Sequence, residues 1–269
     1  MQAVIRDSKV IRLVISSLVL TWIAMPVQTA AQTDAEEVLL LGTIDFPTSG
    51  AEEAQDAFRL GVLALHSFWY AEARDHFTRA RELDPRFGMT YWGEAMTYDN
   101  PFFTEHDRGE AMTYDNPFLT EYDDAAYERL GEEVVARMDA LDAAGELDWT
   151  ERETGYANAV RWRFAANYSI AERRQGYLEA MEDLSLRYPD DDEATVFAAL
   201  ALMALPGFDR EQPVHVVTVA GYLEQVYERN REHPGALHYL LHVYDTPTYA
   251  LMGLRQARIY AGIAPASSH

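Results

Sequence analysis

Between Leu60 and Tyr91 the apolar residues recur with helical rather than strand spacing. Ala73, Phe77 and Ala80 stand at steps of four and three, which places them on one stripe of a helix, and Pro85, five residues on, cannot continue it. Leu60 and Gly61 fall in the preceding helix, where a residue without a side chain lets two backbones approach while Phe77 fills the space beside them. The unit is a helical hairpin with one apolar face left over. The same spacing returns at Tyr177, Met181, Leu184 and Pro189.

The remaining pattern is helical as well. Ser49 and Glu52 have capping-box spacing ahead of AEEAQDAFRLGVLALHSF, and a partner helix is predicted from Tyr70 to Leu83. A helix after Pro85 carries Met89, Tyr91, Trp92 and Met96. Residues 123–144 place Leu130, Val134, Val135, Met138 and Leu141 on one side, and Gly145 ends them. Thr150 and Glu153 form a second capping box, before a stripe of Tyr156, Val160 and Phe164. ATVFAALALMAL at 194–205 is apolar nearly all round, as a helix sandwiched between neighbours would be, and is too short to span a bilayer. Val214 to Glu232 follows; His233-Pro234-Gly235 starts ALHYLLHVYD; and a last helix from about Tyr249 to Ile263 has Ala250, Leu254 and Ala257 at repeat spacing. No period-two pattern occurs, so the fold class is all-α.

The L-G, A-x3-F-x2-A-x4-P arrangement resembles a tetratricopeptide repeat, with Ala57 and Ala64 at the first-helix positions where Trp and Tyr are usual. YWGEAMTY at 91–98 and HPGALHYLLHVYD at 233–245 are similar to segments of secreted or periplasmic bacterial tetratricopeptide proteins. The resemblance covers Leu60 to the C-terminus and implies an α-solenoid of stacked antiparallel hairpins. It brings no catalytic residue with it. A solenoid normally ends in a helix with a polar outer face, and none follows Ala264-Pro265, so a truncated C-terminal end or a missing partner is expected.

One interruption is specific to this chain. GEAMTYDNPFFTEHDR at 93–108 is followed at once by GEAMTYDNPFLTEYDD at 109–124, which reads as a tandem duplication. Asn100-Pro101 and Asn116-Pro117 break any continuous helix, so one copy is expected in the native position and the other in an inserted loop.

Arg6, Lys9 and Arg12 precede the uncharged run Leu13 to Met25, and small residues Thr29, Ala30 and Ala31 follow, a pattern that predicts a signal peptide over 1–31, then a linker over 32–48 and a repeat domain over 49–269. The expected location is the periplasm or outside the cell. The formal charge is -22, and cleavage after Ala31 would make it more negative by removing three cations and Asp7. Such a chain is a poor partner for nucleic acid. With no cysteine, disulfides and thiolate metal sites are excluded. Lys9 is the single lysine; the lysine-poor, acidic composition fits a high-salt habitat and equally a GC-rich genome.

Candidate chemistry is sparse. His238 and His242 lie four apart on a helix, with Asp245 a further turn along, a spacing that can hold a metal. The zincin pattern is incomplete, because Tyr239, Leu240 and Leu241 intervene where a catalytic Glu would be needed. His66, beside Trp69 and Tyr70, is a third candidate ligand, and hydrogen bonding inside the repeat stack is the competing role for all three histidines. Glu94 and its duplicate Glu110 are further carboxylates. Phosphate-loop and nucleophile-elbow motifs do not occur. The leading expectation is therefore a non-catalytic scaffold without a cofactor, holding a peptide or protein partner in a concave groove with Tyr91, Trp92, Arg161, Arg163, Arg173 and Arg174. The alternative is a metal-binding protein or metal-dependent hydrolase, with zinc or another divalent ion on His238, His242 and His66.

Overall fold

The hairpin that organises the sequence is formed by α1 (Glu52–His66) and α2 (Tyr70–Leu83), antiparallel and in extensive contact. A computed structural model describes residues 40–100 and 124–267, within the compact unit Leu39–His269. The expected signal peptide at 1–31 and most of the second duplicate copy lie outside the described residues. Eight further helices follow among the described residues: α3 (Met89–Met96), α4 (Asp124–Ala143), α5 (Glu151–Arg163), α6 (Ile170–Arg187), α7 (Asp192–Met203), α8 (Pro213–Arg229), α9 (Pro234–Tyr244) and α10 (Ala250–Ile263). Consecutive helices from α5 onward pack on one another, as stacked hairpins do.

Local chemistry accounts for most helix ends. Thr150 and Ser169 each accept from the N–H three residues on, while Glu153 and Glu172 reach back to close both capping boxes. Gly145, at φ 70°, terminates α4 in a conformation other residues rarely adopt. The Ser49–Glu52 box is not formed. Ala51 caps α1, its N–H donates to Asp84, and the Ser49 N–H donates to Glu153 instead, so tertiary acceptors replace the local one.

The helices sort into two layers by burial. In α7 only Asp192 and Leu202 escape burial, in α9 only Leu241 and His242, and in α3 only Glu94; α2 and α10 each bury a single narrow stripe. The odd-numbered helices are thus the inner ones. Their facing sides meet in one aromatic cluster: Trp92 on α3 packs edge-on against Tyr156 of α5 and Phe197 of α7, and His66 of α1 stacks on Phe197 and meets Tyr239 of α9. Helix α1 also packs directly on α9, so the first and last hairpins share a seam. Near that seam the Thr43 N–H donates to the Glu232 carbonyl and the Ala266 N–H to the Leu40 carbonyl.

The four-three-five stripe lies where its spacing requires. Ala73, Phe77 and Ala80 are fully buried, and the Phe77 ring lies so close to Gly61 and Gly93 that a methyl group on either would overlap it. Ala73→Leu is expected to overpack this contact and cost about 1–3 kcal/mol. A thermal melt unchanged by that substitution would contradict the packing.

Within the duplication, the first copy supplies the described contacts up to Asn100: Gly93 abuts Phe77, and Asp99 accepts from Arg163 at 2.8 Å.

Candidate functional site at the seam of the first and last hairpins

The α1–α2 turn begins with His66, the last residue of α1, and continues through Ser67 to Phe68, which is held at φ 53°. A positive φ on a bulky residue is strained, and the surrounding packing must enforce it. Here it lays the Phe68 ring against His238, Tyr239 and His242, with ring centroids 4.6, 5.6 and 5.7 Å away. His238 is also stacked on Tyr260 of α10 at 5.0 Å, and the Tyr260 hydroxyl donates to Ser67. Two imidazoles are thereby fixed between elements 170 residues apart in sequence, as the 172-residue separation of the His66–His238 bond shows.

His238 Nδ1 lies 2.6 Å from the His66 carbonyl oxygen, which can only accept, so the Nδ1 proton is donated there and Nε2 carries a lone pair. That lone pair faces His242 Nε2 at 3.1 Å. Both rings open on a cleft of about 320 Å³ between α9 and α10, also lined by Tyr244, Asp245, Leu254 and Tyr260. The i, i+4 pair expected on one helix face is therefore present and points into a cavity.

The His66 side chain belongs to a different cluster. Its Nε2 lies 2.6 Å from Glu193 Oε2, its Nδ1 3.0 Å from the Tyr239 hydroxyl, and His233 Nε2 is 3.2 Å from Glu193 Oε1. All four residues are essentially inaccessible to solvent. His66, Glu193 and His233 offer donor atoms within 4.8 Å of one another, a set that could hold a metal. The hydrogen bonds argue for a different state. His233 caps α9 by accepting the Ala236 N–H at Nδ1, which leaves its proton on Nε2. Tyr239 can donate to His66 Nδ1, which puts the His66 proton on Nε2 as well. Two imidazole N–H groups then face a single carboxylate, and ligation would require stripping both.

The electrostatics agree. Burial opposes the charge on Glu193, but His66 and His233 beside it outweigh burial and hold the carboxyl well below its ordinary range. Burial also pushes the His66 imidazole down, with Glu193 opposing that shift only in part. The second residue of α7 is where a carboxylate also gains from the helix N-terminus. We read the cluster as a clamp of two imidazoles on a buried carboxylate that joins α1, α7 and α9.

The residues expected in a groove are placed elsewhere. Trp92 is fully buried, and Tyr91 is buried with Arg81 over its ring at 4.0 Å. Arg163 is buried and bonded to Asp99 and to both oxygens of Glu128; Arg173 reaches Glu128 and Glu132. Arg161 binds Asp139 and Asp142, and Arg174 donates to the Ala204 carbonyl. Each of the four arginines is thus engaged with an internal acceptor, and both aromatic rings are packed in the interior. The carboxylate Glu94 is mostly buried between Arg81 and Arg137. Glu193, His233, Tyr239, Phe68 and Tyr260 were not singled out by sequence. Of these only His233 had a signal, its place before Pro-Gly at a helix start.

Comparison with protein-family models, with curated proteins and with solved structures finds no match to this chain.

Proposed function

We propose that the chain is a non-catalytic, tetratricopeptide-type binding scaffold, exported to the cell envelope or beyond, whose partner is a basic amphipathic helix seated in the α9–α10 cleft. The observation that carries this reading is the cleft itself. It lies between two antiparallel helices, it is lined largely by apolar groups, and beside it Leu251, Met252 and Leu254 stand exposed on α10. Apolar residues at helical spacing on an open helix pair suit the insertion of a further helix. Charge selects its sign: the chain carries a formal -22, and Arg161, Arg163, Arg173 and Arg174 are engaged with internal acceptors rather than offered to an acidic ligand.

The test is fluorescence anisotropy with a labelled amphipathic Leu/Arg helix and its Leu/Glu counterpart. Saturable binding of the basic peptide, weakened by Leu254→Glu, is expected. Equal binding of the acidic peptide, or none of either, overturns the reading.

A further inference from the structure

We propose that His238 and His242 together ligate a divalent first-row transition-metal ion through their Nε2 atoms, at the wall of the α9–α10 cleft. Three features of the pair support this beyond its spacing. The first is tautomeric: His238 donates its Nδ1 proton to the His66 carbonyl, which leaves Nε2 as the ligating atom and supplies the outer hydrogen bond that metal-bound histidines commonly make. The buried His66–Glu193–His233 set has the opposite arrangement, with its protons on the facing nitrogens.

The second feature is distance. Zinc–imidazole bonds of about 2.0–2.1 Å at a tetrahedral angle put two ligating nitrogens roughly 3.3 Å apart. The pair stands at 3.1 Å, so an ion can replace the shared proton with little movement of either ring. Ligation through Nε2 requires the His242 tautomer that carries its ring proton on Nδ1. The third feature is preorganisation. His238 is stacked on Tyr260 and meets Phe68 at a tilt, and Phe68 stacks on His242, so both rings are held by aromatic contacts before the ion arrives. Imidazole donors favour zinc, copper or nickel over magnesium or calcium. The cleft leaves room for water or a donor from a bound partner to complete the coordination.

Zinc is the probe. The full chain, without a histidine tag and stripped with chelator, is titrated with Zn²⁺ by calorimetry and with Co²⁺ by visible absorption. Saturable binding of one ion per chain is expected, with a Co²⁺ spectrum of nitrogen ligation. His238 is buried and its loss also removes the bond to His66, so His242→Ala, at a less buried position, is the decisive variant. It should keep the helical circular-dichroism spectrum and lose at least about tenfold in affinity, the loss typical of even an outer-shell partner. His215→Ala, at a position that does not line the cleft, should bind as the parent does. Absence of saturable zinc binding, or unchanged affinity in His242→Ala, overturns the proposal. Peptide binding measured in excess chelator reports on the scaffold reading alone, so failure of one leaves the other standing.

Discussion

Glu193→Gln is expected to destabilise the protein by about 3 kcal/mol at pH 7.5 and to leave its stability at least as sensitive to mild acid, because the carboxylate that partly opposes the downward shift of His66 is gone. The carboxylate accepts the His66 Nε2 proton at 2.6 Å and faces His233 Nε2 at 3.2 Å, in a place where neither imidazole has water to turn to. A hydrogen bond to a charged group contributes about 1.5–3 kcal/mol, and a buried donor left without an acceptor adds its own desolvation cost. An amide of the same shape can accept from one histidine, but its NH2 then confronts the other N–H.

The pH dependence follows from the directions of the shifts. Burial holds His66 below its ordinary value of 6.5, so as pH falls through that value the unfolded chain takes up a proton that the folded chain refuses, and stability drops. Glu193 lies below its ordinary 4.5, so its stabilising contribution is full above that value and is lost as pH falls below it. Both push the same way on acidification. Asp191, raised chiefly by burial, works in the opposite sense, and the Glu193→Gln comparison separates it. Chemical denaturation at pH 7.5, 6 and 4.5 checks this. Parental stability that rises on acidification, or a variant as stable as the parent at pH 7.5, would show that the cluster is not a carboxylate clamp.

How far the sequence led depended on whether the signal was local. The stripe of Ala73, Phe77, Ala80 and Pro85 is set by helical periodicity and steric fit between neighbours, and it lies buried as its spacing requires. The Thr150–Glu153 box and the Pro234 start of α9 are equally local and equally legible. The Ser49–Glu52 box is not formed because Asp84 and Glu153, distant in sequence, supply the competing acceptors for the Ala51 and Ser49 N–H groups. The site shows the same division. His238 and His242 share a helix, so their common face was readable; the turn that carries His66 and Phe68 comes to them only when α1 meets α9. Glu193 stands just ahead of the apolar run at 194–205, with nothing in its local pattern to set it apart. Only the seam between hairpins reveals it as fully buried between two histidines.

Phe77→Ala should be the most destabilising single change in the first hairpin, at about 3–5 kcal/mol, the range for emptying a buried phenyl site. Phe77 is fully buried, its ring centroid is 5.6 Å from that of Phe58, and it fills the space left by glycines on both α1 and α3. A loss of that size lowers the melting temperature by about 10 °C or more in a domain of this length. The mechanism can be isolated from the loss of apolar contact in general. Gly61→Ala and Gly93→Ala should each destabilise the parent, because the added methyl meets the Phe77 ring at 2.6 and 2.5 Å. In the Phe77→Ala background that obstacle is gone and each methyl enters the vacated space, so both should become neutral or partly restoring. A double-mutant cycle measures the coupling directly. Strictly additive costs would show that the glycines are required for some reason other than the ring they face, and the close approach of α1, α2 and α3 would need another cause.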